Sequence, residues 1–559
     1  MDRRDFLTGF KRTQASSLSS YENVRQVFSD LTPYSGAWNK KEVVHLLKRT
    51  MFGARKSDID FFLTLSPSQA VDVLLNVPGT LPAPPIKNYD NDEIDAADPD
   101  FAIPKGSTWA TVQSNDGNAN SRRVSSWRSW WTGLMVNQER NIQEKMTLFW
   151  HNHFSTEVSQ YENGLYAYRN NTLFRTSAIG NFKQLVRNVT LDQAMLRYLN
   201  GYLNTNTAPD ENYSRELQEL FTLGKENNPN YTEEDVLAAA KVLTGWRIDT
   251  KLDTVYFDIK RHDKTNKVFS SFFGGTTITG VADDTAGDKE LDALLDMIFS
   301  KSVEVSEFIV KKLYVWFCYY SIDENTKQTV IKPLAQLFRD SGWEIKPVLE
   351  ALLKSEHFFD PLNQGCLIKS PMDLVVSLVR EFDVVLPPDS DWQNAYYMYE
   401  YLRNQGSVMQ QNLGDPPSVS GWPAYYQIPQ FYEIWINSDT LPKRNRYSDQ
   451  LITTGYTRNA NKIQIDPVAF AKKLSNPADP NVLINDSLEI LYRVPISENS
   501  KFIIKKQILL SGQDQDYYWS NAWNAHIANP GDDSAYQTVY IRLRDLYKYF
   551  MNLAEYQLA

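Results

Sequence analysis

At 559 residues, with 42% hydrophobic and 13% aromatic side chains, the chain carries ample material for a large buried core and length for two to three structural regions. A formal net charge of −10 excludes the basic surface that non-specific binding to nucleic acid or anionic membrane requires. No stretch approaches the roughly 18 consecutive apolar residues of a membrane span, and Cys318 and Cys366 are too few for a disulfide framework.

The N-terminal extension, 1–37, carries Arg3-Arg4-Asp5-Phe6-Leu7, which is similar to the twin-arginine box of exported bacterial proteins. The apolar segment that should follow is replaced by a polar run over 9–17, so either export takes another route or the box serves another role. From Asn39 onward helical periodicity dominates, opening with Val43, Val44, Leu46 and Leu47. Across 78–123 prolines, an acidic run and a Ser/Asn/Gly tract predict a long loop or insertion. Trp127, Trp130, Trp131, Leu134 and Met135 then recur at a spacing of three to four, which points an aromatic stripe at the core. A further helix is expected from Asn141 to Trp150, followed directly by His151-Asn152-His153.

The segment 211–221 sorts two kinds of chemistry onto two faces. At about 100° per residue, Asn212, Glu216 and Glu219 stack on one side, while Tyr213, Leu217, Leu220 and Phe221 share the other. Gly224 ends this helix, and Thr232 caps the next one, which runs to Gly245-Trp246. Over 256–280 the apolar period shortens to two around a polar turn at 263–266, which predicts one inserted β-hairpin. Helices resume over 291–299, 306–320, 328–340, 348–355 and 372–382, and with a thinner pattern over 467–474, 501–511 and 536–553. The fold class expected is mainly α: a large multi-helix body over 38–441 with the hairpin inserted, and a C-terminal helical region over 442–559.

Several of these segments together resemble a known family. They are His45-Leu46-Leu47-Lys48-Arg49-Thr50-Met51-Phe52-Gly53, Met146-Thr147-Leu148-Phe149-Trp150-His151-Asn152-His153-Phe154, the helix over 211–224, Ala238-Ala239-Ala240-Lys241-Val242-Leu243-Thr244-Gly245-Trp246, His262-Asp263, and Asp415-Pro416-Pro417-Ser418-Val419-Ser420-Gly421-Trp422-Pro423. In this order they are similar to the motifs of the bacterial family catalogued as domain of unknown function 1800, DUF1800, over roughly 38–441. The resemblance implies a largely helical protein, exported to the periplasm or cell surface, with a protein partner from a co-encoded exported family. It supplies no activity.

The residues allow two functional readings. In the first, His151, His153 and His262 hold a divalent transition metal such as zinc or iron, and Glu216 or Glu219 ligates it or takes a proton from its bound water, as in a metal-dependent hydrolase or oxidoreductase. Asp263 would orient a ligand from outside. For His151 and His153 to share an ion, the helix must already have unwound at Trp150, because residues two apart face different sides of a helix. Glu216 with Glu219 or Asp263 would also serve as a metal-free acid/base pair of the glycosidase kind. In the second reading the polar cluster only fixes helix packing, with Arg215 and Arg169 as counter-charges, and the protein binds a glycan or another protein through aromatic and Pro/Gly loops. Asn212, Arg215, Asp263 and Trp422 are the candidate binding residues; Trp422 would line a sugar-stacking rim or dock its loop onto the body.

Overall fold

The computed structural model describes residues 27–224 and 231–559, so the Arg3-Arg4 box lies outside the described residues. The protein is mainly α, with three two-stranded antiparallel sheets among its helices. The helices that build the site are α1 (Lys40–Thr50), α2 (Gly117–Val136), α3 (Gln143–His153), α4 (Gly164–Thr176), α5 (Asn212–Glu216), α6 (Glu233–Val242), α7 (Ala286–Ser300), α8 (Ser302–Phe317), α9 (Pro371–Glu381), α10 (Trp392–Val408), α11 (Thr440–Thr453) and α12 (Asp533–Asn552). Their starts follow local chemistry: Asn39 caps α1 by accepting from Lys41 N, Asp116 caps α2 through Ala119 N, and Thr232 with Asp235 forms a capping box on α6.

At the centre lies α3, every residue of which is buried. α4 packs on both α2 and α3, and α10 lies along α2. Such a helix would read as apolar all round, yet α3 carries Gln143, Glu144, Lys145, Thr147, His151, Asn152 and His153. Each finds a partner, as burial demands. Arg175 of α4 meets Glu144 in a two-pronged pair at 2.9 Å per arm, and Trp131 Nε1 donates to the same carboxylate at 3.1 Å. Lys145 pairs with Asp373 of α9, Gln143 Nε2 donates to Arg175 O, and Thr147 bonds back to Gln143 O.

Within 78–123 a short 3-10 turn (Pro99–Ala102) precedes α2, which begins at Gly117, and the segment is anchored: Asp100 takes Lys87 at 3.0 Å and Arg123 of α2 at 2.6 Å, with all three side chains 1% exposed or less. A hairpin does form within 256–280, but from its second half alone, and the first expected strand pairs with a segment before it. Strand β1 (Trp246–Asp249) pairs with β2 (Thr254–Phe257), and β3 (Lys267–Val268) pairs with β4 (Thr277–Ile278). The 263–266 turn therefore joins two sheets instead of closing one hairpin, and its shape is set locally: Asp263 accepts from both Thr265 N and Thr265 Oγ1. Strands β5 (Tyr456–Arg458) and β6 (Asn461–Ile463) form the third sheet.

The boundary expected at 441/442 falls inside α11. One contiguous apolar core runs from Val43 to Tyr556 and includes Leu451 of α11 and Leu543, Leu546, Tyr547 and Phe550 of α12.

Candidate functional site

The carboxylate motif begins as the α-helix α5 and then widens into a π-helical turn over Leu217–Thr222. Its bonds span five residues: Leu223 N donates to Gln218 O at 2.9 Å, and Thr222 Oγ1 to Leu217 O at 2.5 Å. Such turns insert a residue into the helical repeat and recur at functional positions. The stack expected at 100° per residue does not survive past Glu216. Tyr213, Leu217 and Phe221 are buried as anticipated, whereas Leu220 and Glu219 are half-buried at a cleft.

Asn212 is exposed, with its N–H donating to Asp210. Arg215 spans from Glu211 at 3.0 Å to Glu233 of α6 at 2.6 Å, with Glu219 at 3.9 Å, so it clamps α5 to α6. The Glu233 hydrogen bond holds its guanidinium pKa above the usual arginine range.

α3 continues through His153, so the two histidines of the motif stay helical and diverge. His151 Nε2 accepts the N–H of Gly414 at 3.2 Å, with the ring wedged between Trp131 and Trp422. Burial pushes its pKa down to about 4, against the opposing pull of Asp415. His153 Nε2–H donates to Phe221 O at 3.1 Å, at the end of the carboxylate motif. Burial, helped by Lys312, lowers its pKa to about 3.

His262 lies elsewhere, under the first two sheets. Nδ1 is 2.9 Å from Thr244 O, and Nε2 is 3.1 Å from Glu290 Oε1, whose other oxygen meets Lys267 Nζ at 2.6 Å. Burial would raise Glu290, but the bonds from His262 and Lys267 hold it below the ordinary carboxylate range. Asp263 closes its own turn and bonds no histidine through its side chain among the described residues.

Among the described residues no group of three or more His, Cys, Asp or Glu side chains is arranged to hold a metal ion. The expected ligands His151, His153 and His262 occupy three separate bonding networks, and the imidazole nitrogens described above already face internal partners. These residues do not fit zinc or iron. Of the expected counter-charges Arg215 does meet the glutamates, whereas Arg169 pairs with Asp253 at 2.6 Å and bonds Gln193 at 2.7 Å, and the histidines meet backbone groups and Glu290.

Asn152, between the histidines, is the fastener of the Gly/Pro loop. Its Oδ1 accepts the N–H of Trp422 at 2.9 Å. Gly421 has φ +90°, and a Cβ there would lie 2.5 Å from both Asn152 O and Asn152 Oδ1, so only glycine lets the two backbones close. Trp422 is 1% exposed, with its ring tilted against His151. It docks the loop and lines no sugar-binding rim. Arg128 of α2 pairs with Asp415, and Val158 N donates to Gly414 O at 2.8 Å, which pins the rest of the loop.

What these motifs build together is a cleft of about 270 Å³. α3 supplies Phe149, Asn152 and His153; the π-turn supplies Glu219 and Leu220; α8 supplies Phe308, Lys312, Val315 and Trp316; the docked loop supplies Ser420, Tyr425 and Tyr426. Trp316 and Tyr425 pack ring to ring at 4.5 Å. Among the described residues lining it, Glu219 is the one carboxylate; Glu216, its expected catalytic partner, is not in the wall. Phe308, Lys312 and Trp316 were not among the expected site residues, although their spacing of four places them on one stripe of α8. Tyr425 and Tyr426 follow the Gly-Trp-Pro turn and carried no signal of their own.

The family described as "Protein of unknown function (DUF1800)" matches residues 45–558, nearly the whole chain, so this protein belongs to the DUF1800 family. The match runs on through the C-terminal helices, past residue 441 where the quoted motifs thin. No curated protein matches the chain. No solved structure matches it either.

Proposed function

We propose that the protein is a non-catalytic binding protein that holds a glycan segment in the cleft between α3, the π-turn, α8 and the docked loop. The observation that carries this reading is the lining itself. Phe308, Tyr425 and Tyr426 supply partly exposed rings for the C–H faces of sugars, beside the buried Phe149 and Trp316 of the wall, and Asn152, Glu219, Lys312 and Ser420 offer a few polar groups to fix orientation. His153 and His151 serve the same end by bracing the π-turn and the docked loop. Hydrolysis by paired carboxylates needs two groups flanking one bond, and one carboxylate lines this cleft among the described residues. The family resemblance supports a place outside the cytoplasm, at the bacterial envelope, and a protein partner from the co-encoded exported family. Fractionation of cells producing the full chain should therefore recover it outside the cytoplasm.

Calorimetric titration with a panel of soluble bacterial polysaccharide fragments tests the binding reading. At least one fragment should bind saturably, and Tyr426→Ala should weaken it about tenfold or more, as loss of one ring platform would, with the unfolding midpoint little changed. Failure of every fragment to bind, or equal binding by the variant, rejects the proposal. Shortened fragments recovered after titration would make the protein a hydrolase instead.

A further inference from the structure

Behind the Trp316–Tyr425 pair, basic side chains converge on a second, smaller cavity of about 40 Å³. Lys48 and Arg49 reach it from the last turn of α1, Lys145 from α3, and Lys369 from the residue before the Ser370 cap of α9. All four are buried, with 5% exposure or less. Three have partners: Lys48 Nζ lies 2.8 Å from Glu381 Oε1, Lys145 pairs with Asp373, and Arg49 Nη2 donates to Asn363 O at 3.1 Å. Among the described residues Lys369 Nζ has no hydrogen-bond partner, and it sits 4.0 Å from the centre of the Tyr556 ring. Against the neighbouring carboxylates Glu381 and Asp373, the four basic side chains leave a positive excess.

A buried ammonium without a hydrogen-bond acceptor is costly, and burial pulls the Lys369 pKa below the lysine range despite the pull of Glu381. The amino end of α9, an eleven-residue helix, lies at the same wall and favours negative charge. By size the cavity has room for about three waters, which suits one tetrahedral anion and excludes a sugar ring.

We propose that this cavity binds a small oxyanion of the phosphate or sulfate type, held by Lys369 Nζ with Lys48, Arg49 and Lys145 around it. The site is separate from the aromatic cleft and does not depend on the glycan reading.

Titration calorimetry of the full chain with inorganic phosphate, at constant ionic strength in chloride, tests it. The wild type should bind saturably and near 1:1, and Lys369→Met should bind about tenfold more weakly or worse, the loss of one charge-assisted hydrogen bond. The unfolding midpoint should rise with phosphate in the wild type and stay flat in the variant. Glycerol phosphate in parallel separates the sources: binding of inorganic phosphate alone assigns a free anion, and binding of both assigns a phosphoryl group on a larger molecule. Absence of saturable binding of phosphate and sulfate to the wild type would overturn the proposal. So would an unchanged affinity in a Lys369→Met protein whose near-UV circular dichroism is native. If Lys369→Met does not fold, Lys369→Arg keeps the charge and must still bind.

Discussion

The two imidazoles of the His151-Asn152-His153 motif are neutral struts. Free histidine titrates near 6.5, whereas burial brings His151 to about 4 and His153 to about 3. Between those values the unfolded chain binds more protons than the folded one, so stability must fall as pH falls, and each ring adds about 1.4 kcal/mol of loss per pH unit. The window opens below about pH 6.5 and closes near 4 for His151 and near 3 for His153. Urea unfolding at pH 7 and pH 5 should show His153→Gln losing about 2 kcal/mol less than the wild type over that interval. An identical pH dependence in the two proteins would mean that His153 titrates alike in the folded and unfolded chain. Gly421 makes a sharper point at the same scale. Gly421→Ala forces a positive φ on an alanine and drives its Cβ into Asn152, a strain of about 1–3 kcal/mol before the loop shifts. The expected result is a lower unfolding midpoint and faster proteolysis within 411–426, measured against a wild-type digest.

At the scale of elements, α3 shows why part of this protein was legible and part was not. The tryptophan stripe of α2 and the cap of α6 depend on neighbours three or four residues away, and such local rules can be read directly from a sequence. The end of α3 depends on what surrounds it. His151, Asn152 and His153 remain helical because Gly414, Trp422 and Phe221 supply partners from distant segments, and no local pattern names those partners. The π-turn after Glu216 is hidden for a similar reason: a one-residue insertion in the hydrogen-bond ladder leaves the apolar spacing almost intact while re-aiming Glu219. The hairpin over 256–280 was legible as strands but not in its pairing, since alternation does not say which strand pairs with which. The buried Glu144–Arg175 pair is the most consequential of these hidden contacts. Glu144→Ala strands a guanidinium in the core and should cost about 3–5 kcal/mol, whereas replacing both partners with apolar residues should cost much less. Unfolding of the single and double variants, compared in a mutant cycle, checks both statements.

Over the whole molecule, the C-terminal helices are part of the body that carries the cleft. α11 passes through the expected boundary at 441/442, and its Tyr447 donates to Val375 O at 2.8 Å while Arg444 donates to Lys369 O at 2.8 Å. Farther along, Leu491 O accepts from the buried Lys48 of α1 at 2.9 Å, and Lys369 N donates to Gln557 O at 2.8 Å. Cutting the chain at 441 would remove one partner of each of these bonds and expose the core faces of α9 and α1 that Leu451, Leu543 and Phe550 share in one cluster. A fragment spanning 27–441 should therefore fail to unfold cooperatively and should bind a hydrophobic dye, while the full chain shows one transition for both halves. Limited proteolysis supplies the opposing outcome: a stable product ending near 441 that keeps native near-UV circular dichroism would make the C-terminal helices a separate domain.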